Sequence, residues 1–431
     1  MKLESRARGL WDATAPPPAP SAVLRESSSV DVAVVGAGFT GLSAALHLAT
    51  QGAKVAVLEA EDVGFGGSGR NVGLVNAGLW IKPSDIERIL GPVYGERLLQ
   101  NLGNAPSLVF DLIQQYGIDC EASRRGTLHC AWGERGMRDM TERARQWLAR
   151  SAPVQLLDEK DTRTLVGSSA FRGALLDRRA GTVQPLSYAR GLAQAAQSAG
   201  ALIFTASPVQ SVEDTGGAWQ LCTPGGAVRA SGVIVTTNTY SALAFDSVAV
   251  EQVRLPYFNF ATRPLTASQL REVLPQRQGI WDSNRILSSA RLDRAGRLIF
   301  GSIGALAGGG ARIHREWSKR AMARLFPHLK GVEFEHAWFG WIGTTKNAVP
   351  RFHRLARNTY SIGGYNGRGI APGTRFGFEL AQLLAGKLSI DEMSLPLTEL
   401  EPAPLRSLRE LYYRTGASAA HLLFARLPKR N

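Results

Sequence analysis

Val30-Asp31-Val32-Ala33-Val34-Val35 runs without a break into Gly36-Ala37-Gly38-Phe39-Thr40-Gly41. The first six residues are mostly β-branched and apolar, as in a strand buried on both faces of a parallel sheet. After Gly41, Leu42, Ala45, Leu46 and Ala49 recur at helical spacing, and Gly52 stops the helix. Lys54-Val55-Ala56-Val57-Leu58 reads as a second strand, with Glu59 at its end. Together these segments make a βαβ unit that binds a dinucleotide. Gly36 permits the tight turn, Gly38 lets backbone approach a pyrophosphate at the helix N-terminus, and Gly41 lets the helix pack on the strand. Glu59 can accept both hydroxyls of an adenosine ribose. An acid there repels a 2′-phosphate, which disfavours NADP.

A second segment, Tyr360-Ser361-Ile362-Gly363-Gly364-Tyr365-Asn366-Gly367-Arg368-Gly369, runs toward another apolar helix, read over Gly373 to Gly386. A helix starting after Gly373 offers unpaired N–H donors and the positive end of its dipole. Reduced flavin carries negative charge near N1 and C2=O, so such a helix stabilises it and raises its potential. The two segments together point to FAD rather than NAD. An NAD-dependent dehydrogenase is the rival reading, opposed by the second glycine motif and distinguishable by protein colour.

At 431 residues the chain is long enough for two domains with full cores. No stretch reaches transmembrane length without a charge or a break. Residues 1–29 hold Arg6, Arg8, Asp12, a proline run and three serines but no signal-peptide core, so the expected location is cytoplasmic. Cys120, Cys130 and Cys222 lack metal spacing and read as small hydrophobes. The net charge of +14 raises the question of nucleic acid. The excess is spread along the chain in short runs such as Arg124-Arg125, without interleaved aromatics. No nucleic-acid partner is therefore expected; a tRNA-modifying or RNA-binding flavoprotein is the alternative, testable by salt-dependent retention on RNA.

The expected fold class is α/β: a Rossmann-like FAD-binding domain interleaved with a sheet-rich α+β substrate domain. Helices are expected at about 84–116, 136–150 and 186–199. Strands are expected at 126–131, 201–205, 208–213, 218–222, 227–230, 232–237 and 359–363. The division reads as a loosely packed N-terminal tether (1–28), a FAD-binding domain (29–83, 155–240 and 340–392), a substrate domain (84–154 and 241–339) and a basic tail (393–431).

Three stretches carry a family resemblance: Gly66-Gly67-Ser68-Gly69-Arg70-Asn71-Val72-Gly73-Leu74-Val75-Asn76-Ala77-Gly78, Leu176-Asp177-Arg178-Arg179-Ala180-Gly181-Thr182, and Gly364-Tyr365-Asn366-Gly367-Arg368-Gly369. Through them the chain resembles the D-amino-acid-oxidase-like FAD-dependent oxidoreductases from about residue 29 to 390. It is most similar to the bacterial branch of γ-glutamylputrescine and L-pipecolate oxidases. The resemblance implies that Gly36, Gly38, Gly41 and Glu59 hold the AMP half of FAD, and that Ser68, Arg70, Asn71 and Gly73 pass the pyrophosphate and flavin edge. It implies that Val209 presents backbone to adenine, and that Gly364, Asn366, Gly367, Gly369, Gly373 and Thr374 lie near flavin N1–C2=O. Relatives that tether flavin use a cysteine at the place of Gly340, so FAD is expected to be non-covalent. Asn347 stands where relatives often carry Asp.

In such a family the flavin does the chemistry, taking a hydride at N5 from the carbon beside a neutral amine nitrogen. No separate catalytic residue is needed, and no Ser-His-Asp set, paired carboxylates or metal constellation is found. The favoured substrate is L-pipecolate, giving Δ1-piperideine-6-carboxylate, with γ-glutamylputrescine as the alternative and oxygen or another acceptor taking the electrons. Arg291 is the expected carboxylate partner, since a guanidinium binds carboxylate in bidentate fashion. Arg297 reads as structural and Arg263 as either. Tyr257, Trp80 and His129 are expected to line the substrate cavity, and Arg70 to place a cation beside the flavin.

Overall fold

The computed structural model describes residues 8–423 except 246 and 285, and Leu423 only in its backbone. Its first sheet is built on Ser28–Val35, which pairs in parallel with Val55–Leu58 on one side and Ala227–Val235 on the other. Leu202–Phe204 extends the first flank; Thr359–Gly363 and the antiparallel edge Arg351–Ala356 extend the second. Val32 and Val34 face one core while Ala33 and Val35 face another, so the strand reads as an unbroken apolar run. The helices Phe39–Ala49, Pro185–Ser198 and Ile370–Leu384 cover the first face. The opposite face packs on Leu24, Val209, Leu221 and Phe245 beside the hairpin Ser211–Asp214/Trp219–Cys222.

The second sheet runs, in spatial order, Phe334–Thr344, Val253–Pro264, Arg297–Ile303, Ser288–Leu292, Gly279–Asp282, Thr127–Ala131, Gly173–Asp177 and Val154–Leu157. All its pairings are antiparallel except that of Gly279–Asp282 with Thr127–Ala131. Helix Gly310–Leu325 packs its Trp317, Met322 and Leu325 into the core behind this sheet.

Several boundaries differ from the sequence reading. The helical stretch Pro83–Gln115, broken by a non-helical Gly91, buries Leu98, Leu102, Val109 and Phe110 in the first core, not in the substrate domain. Strands Val154–Leu157 and Gly173–Asp177 belong to the second sheet, although they border and fall inside the stretch assigned to FAD binding. Residues 227–235 form one strand, because Gly232 ends no strand there; its missing Cβ leaves room for Leu384 of the covering helix. The N-terminal stretch is no loose tether: Leu10 and Trp11 are fully buried, Trp11 Nε1 donates to the Asn71 carbonyl at 2.9 Å, and Arg8 pairs with Asp62 at 3.0 Å. The end of the chain is also split. Met393 and Leu395 complete the first core, and helix Arg406–Leu423 packs on the strand Val253–Pro264 and on helix Gly310–Leu325. There His314 and His421 meet, Nδ1 to Nδ1, at 2.7 Å.

Candidate active site

A cavity of about 880 Å³ lies between the carboxyl ends of the parallel strands and the face of the second sheet. This is where an open parallel sheet binds its ligand. Gly36 leaves the first strand at φ +103°, a conformation that favours glycine, and a Cβ on Gly41 would fall 2.0 Å from the Gly36 carbonyl oxygen. Gly41 therefore sits behind the wall, allowing the helix to seat, while Gly36 and Gly38 form the wall itself. Helix Phe39–Ala49 points its N-terminus at this space, and Ser68 Oγ accepts from the Phe39 N–H at 3.1 Å.

Glu59 lines the same end. Its Oε2 accepts from Ala37 N–H at 2.7 Å and its Oε1 from Glu61 N–H at 3.0 Å, which aims the carboxylate across the strand end. Burial raises its pKa above the ordinary value, against the two backbone donors that pull it down. Val209 closes this end.

The loop after the second strand is pinned by its own side chains. Asn71 Nδ2 donates to the Gly67 and Ser68 carbonyls, and its Oδ1 accepts from Gly73 N–H at 2.8 Å. Ser68 and Asn71 line the cavity; Gly73 and Arg70 do not. Arg70 is fully buried, donating to the Phe65 carbonyl at 2.8 Å and the Phe339 carbonyl at 3.2 Å. It fastens the loop to the second sheet, with its guanidinium 5.1 Å from the Phe65 ring centroid, and stays out of the cavity wall. Gly73 gives up its space to the Val183 carbonyl and Arg291.

The C-terminal glycine motif arrives in an altered register. The helix begins at Ile370, with Gly369 as its N-cap, and Pro372 is accommodated in the first turn, where its missing N–H has no helical partner to lose. Gly373 and Thr374 are thus inside the helix. Gly373 packs against Thr40, and Thr374 meets Tyr188 through its hydroxyl at 3.1 Å. Asn366, Gly367 and Gly369 line the cavity, with Asn366 Oδ1 accepting from Thr345 N–H at 2.9 Å. Gly364, at φ +76°, lies outside it and donates its N–H to Asn238. The N–H groups left without intrahelical acceptors at this end are therefore those of Ile370 and its neighbours.

On the substrate side the largest correction concerns Arg291. It is 1% exposed and donates to the Val183 and Leu292 carbonyls and to Glu121 Oε2 at 3.3 Å. It stands over the Trp11 ring, at 5.6 Å, and does not line the cavity. His129 is likewise displaced: it stacks on Trp281 at 3.3 Å between ring centroids, and Trp281 is the ring that lines the cavity. Burial, then Arg143 and Arg368, hold the His129 pKa well below 6.5, so the ring is neutral. Arg297 pairs with Asp293 at 3.1 Å, and Arg263 is exposed outside the cavity. Asn347 turns its Oδ1 to the Val349 N–H.

Trp80 and Tyr257 do line the cavity, and the Trp80 Nε1 and Tyr257 hydroxyl are buried without a partner among the described residues. Burial is the main cause that raises the Tyr257 pKa well above 10, so it is a neutral donor. Gly340 faces that hydroxyl: a Cβ there would lie 2.6 Å from it. The sequence reading missed Thr236, Asn238 and Tyr240, which follow the strand end at Val235, and Arg254, Trp281 and Trp341. The first three sit at the carboxyl end of a central strand, a signal that was available; the others are isolated residues of ordinary strands. Arg368 also escaped notice. Its guanidinium lies 5.1 Å from the Trp80 ring centroid and 4.8 Å from that of Trp281. It donates to the Ala77 carbonyl at 2.7 Å while its Nε has no partner among the described residues.

The glycine cradle, the two helix N-termini and the Glu59 carboxylate fit an FAD molecule. Comparison with known proteins agrees. Residues 31–383 match the DAO model, described as FAD dependent oxidoreductase. The chain is 34% identical over 381 residues to the gamma-glutamylputrescine oxidoreductase of Escherichia coli, covering 85% of this chain and 86% of that protein. It is 32% identical over 378 residues to the probable oxidoreductase OrdL of Haemophilus influenzae, covering 86% of each. The structure of glycine oxidase from Geobacillus kaustophilus superposes with a TM-score of 0.71 at 22% identity, covering 86% of this chain and 99% of that one.

Proposed function

Because the chain belongs to the DAO family of FAD-dependent oxidoreductases and is an enzyme of amine or amino-acid donors, we propose that it oxidises the terminal C–N bond of an aminoalkyl substrate of the γ-glutamylputrescine kind. The carrying observation is that Arg291, the one arginine expected to hold a carboxylate close to the reacting carbon, is spent on Glu121 and two carbonyls inside the scaffold. What faces the substrate side instead is a wall of aromatic rings, Trp80, Trp281, Trp341 and Tyr257. Such a wall suits an alkyl chain ending in an amine. The identity to the Escherichia coli enzyme supports the same reading.

When bound, FAD supplies the hydride acceptor and passes the electrons on to oxygen or another acceptor. The chain's residues hold it without a covalent bond in this reading, since Gly340 has no nucleophile to offer. Gly36, Gly38 and the start of helix Phe39–Ala49 receive the pyrophosphate, Glu59 the ribose and Val209 the adenine. The start of helix Ile370–Leu384 meets the negative edge of the reduced ring. The Tyr257 hydroxyl and Trp80 N–H remain as donors for substrate acceptor atoms. The three cysteines form no disulfide, which suits a cytoplasmic location.

L-pipecolate is the second reading, favoured by Arg368, whose guanidinium is stacked on two cavity-lining tryptophans and makes no ion pair among the described residues. Oxygen uptake and product mass spectrometry with γ-glutamylputrescine, L-pipecolate, L-proline and sarcosine test the proposal. Turnover of γ-glutamylputrescine to its aminoaldehyde at least about tenfold above the others supports it. Turnover of L-pipecolate to the cyclic imine with none of γ-glutamylputrescine refutes it.

A further inference from the structure

Helix Arg406–Leu423 buries one face and leaves an apolar one uncovered. Leu405, just before the helix, is 73% exposed; Leu408 is 60%, Leu411 54%, Tyr412 68% and Leu422 58% exposed. These are five of the eleven large hydrophobic side chains exposed among the described residues. They are not scattered around the helix. At ~100° per residue, Leu408, Leu411, Tyr412 and Leu422 fall within an arc of roughly 100°, and Thr415 and Ala419 lie between them. The opposite side carries Ala417 and His421, which are buried against the second sheet and helix Gly310–Leu325.

The flanks of the uncovered arc carry basic charge. Arg409 and Arg414 each lie about 60° beyond one end of it, and no acid lies on the arc. The helix's one acid, Glu410, is on the docked side, where it accepts from Arg406 at 3.1 Å and from the Arg254 N–H. In sequence, residues 404–431 hold six Lys or Arg and one Glu, within a chain of net charge +14. A second copy of the chain docking by this face would bring arginines against arginines with no acid to meet them. An anionic lipid surface meets both features at once, apolar side chains entering the acyl boundary and arginines meeting headgroup phosphates.

We propose that this helix is a peripheral docking surface for anionic lipid membranes. It holds the enzyme at the bilayer surface without crossing it; no described helix is long and apolar enough to cross a membrane.

Vesicle flotation with the full-length FAD-loaded protein tests this. The protein floats with vesicles of phosphatidylglycerol and phosphatidylcholine, and at least about tenfold less with phosphatidylcholine alone. Arg409→Gln with Arg414→Gln lowers partition about 30-fold, and high salt does the same. Leu408→Asp with Leu411→Asp abolishes flotation while the flavin spectrum and melting temperature stay those of the parent. Three results overturn the proposal: no flotation on either vesicle, equal flotation of the parent and the Leu408→Asp/Leu411→Asp variant, or a dimer by light scattering that this variant splits and that ignores vesicles.

Discussion

Replacing Arg291 with methionine separates a scaffold arginine from a substrate-binding one. Methionine keeps much of the aliphatic volume over the Trp11 ring and removes the guanidinium. Among the described residues Glu121 then keeps only the Arg294 N–H, at 3.1 Å, and the Val183 carbonyl loses its charged donor. Removing one partner of a buried pair costs about 3–5 kcal/mol. Glu121 retains 14% exposure, which places the cost near ~3 kcal/mol. At roughly 2–4 °C per kcal/mol for a large domain, the melting temperature falls by about 6–12 °C. The assay is thermal unfolding at fixed FAD, read beside KM for a carboxylated substrate and for its uncharged analogue. The account expects the melting temperature to fall and the ratio of the two KM values to hold within about twofold. An unchanged melting temperature with a selective tenfold rise in KM for the carboxylated substrate would falsify it, and would return Arg291 to the site.

Three further outcomes follow from the same geometry. Glu59→Gln leaves an amide that cannot accept from both Ala37 N–H and Glu61 N–H through two oxygens, and it removes the charged acceptor for ribose; FAD affinity, by fluorescence titration of the apoprotein, falls about 10–100-fold. Affinity within threefold of the parent excludes the ribose role. Gly41→Ala drives a Cβ to 2.0 Å from the Gly36 oxygen, so FAD occupancy after gel filtration is largely lost; full occupancy contradicts the close helix–strand seat. The His314–His421 contact makes docking of the C-terminal helix sensitive to acid. Burial depresses His314 to about 4 and His421 to about 3, so the undocked, ordinary histidines bind protons first as pH falls below 6.5. Docking is fully favourable above pH 6.5 and weakens as pH falls, through about 4 for His314 and about 3 for His421. His314 alone contributes about 2 kcal/mol of that loss at pH 5. Proteolytic cleavage after residue 405 therefore speeds up between pH 7 and 5, and a rate that is flat with pH removes the histidine pair from the docking.

The nucleotide half was legible because its signals are local. Val30 to Glu59 states the strand, the turn and the helix within thirty residues, and Gly36, Gly38 and Glu59 stand where the pattern puts them. The substrate half was not, because its positions depend on register and on layers distant in sequence. Arg291 looked available on a strand, but Glu121 and Val183, more than a hundred residues upstream, absorb its charge. His129 and Trp281 are cross-strand neighbours, and sequence alone could not tell which of the two rings reaches the cavity. The sequence reading places the start of the last helix at Gly373, three residues late. A proline in the first turn is permitted, and the helix starts at Ile370. The N-terminal proline-rich stretch has loop composition, yet Trp11 finds an acceptor in the Asn71 carbonyl and a buried seat beside Trp338.

The central claim is that this cavity brings an amine carbon to bound FAD. Anaerobic mixing of the purified yellow protein with γ-glutamylputrescine, L-pipecolate, L-proline and sarcosine, followed near 450 nm, tests it most directly. The account predicts rapid bleaching by γ-glutamylputrescine. Bleaching by one of the other amines would keep the chemistry and shift the substrate. A protein that carries no FAD, or a yellow one that none of these amines bleaches, would contradict the claim.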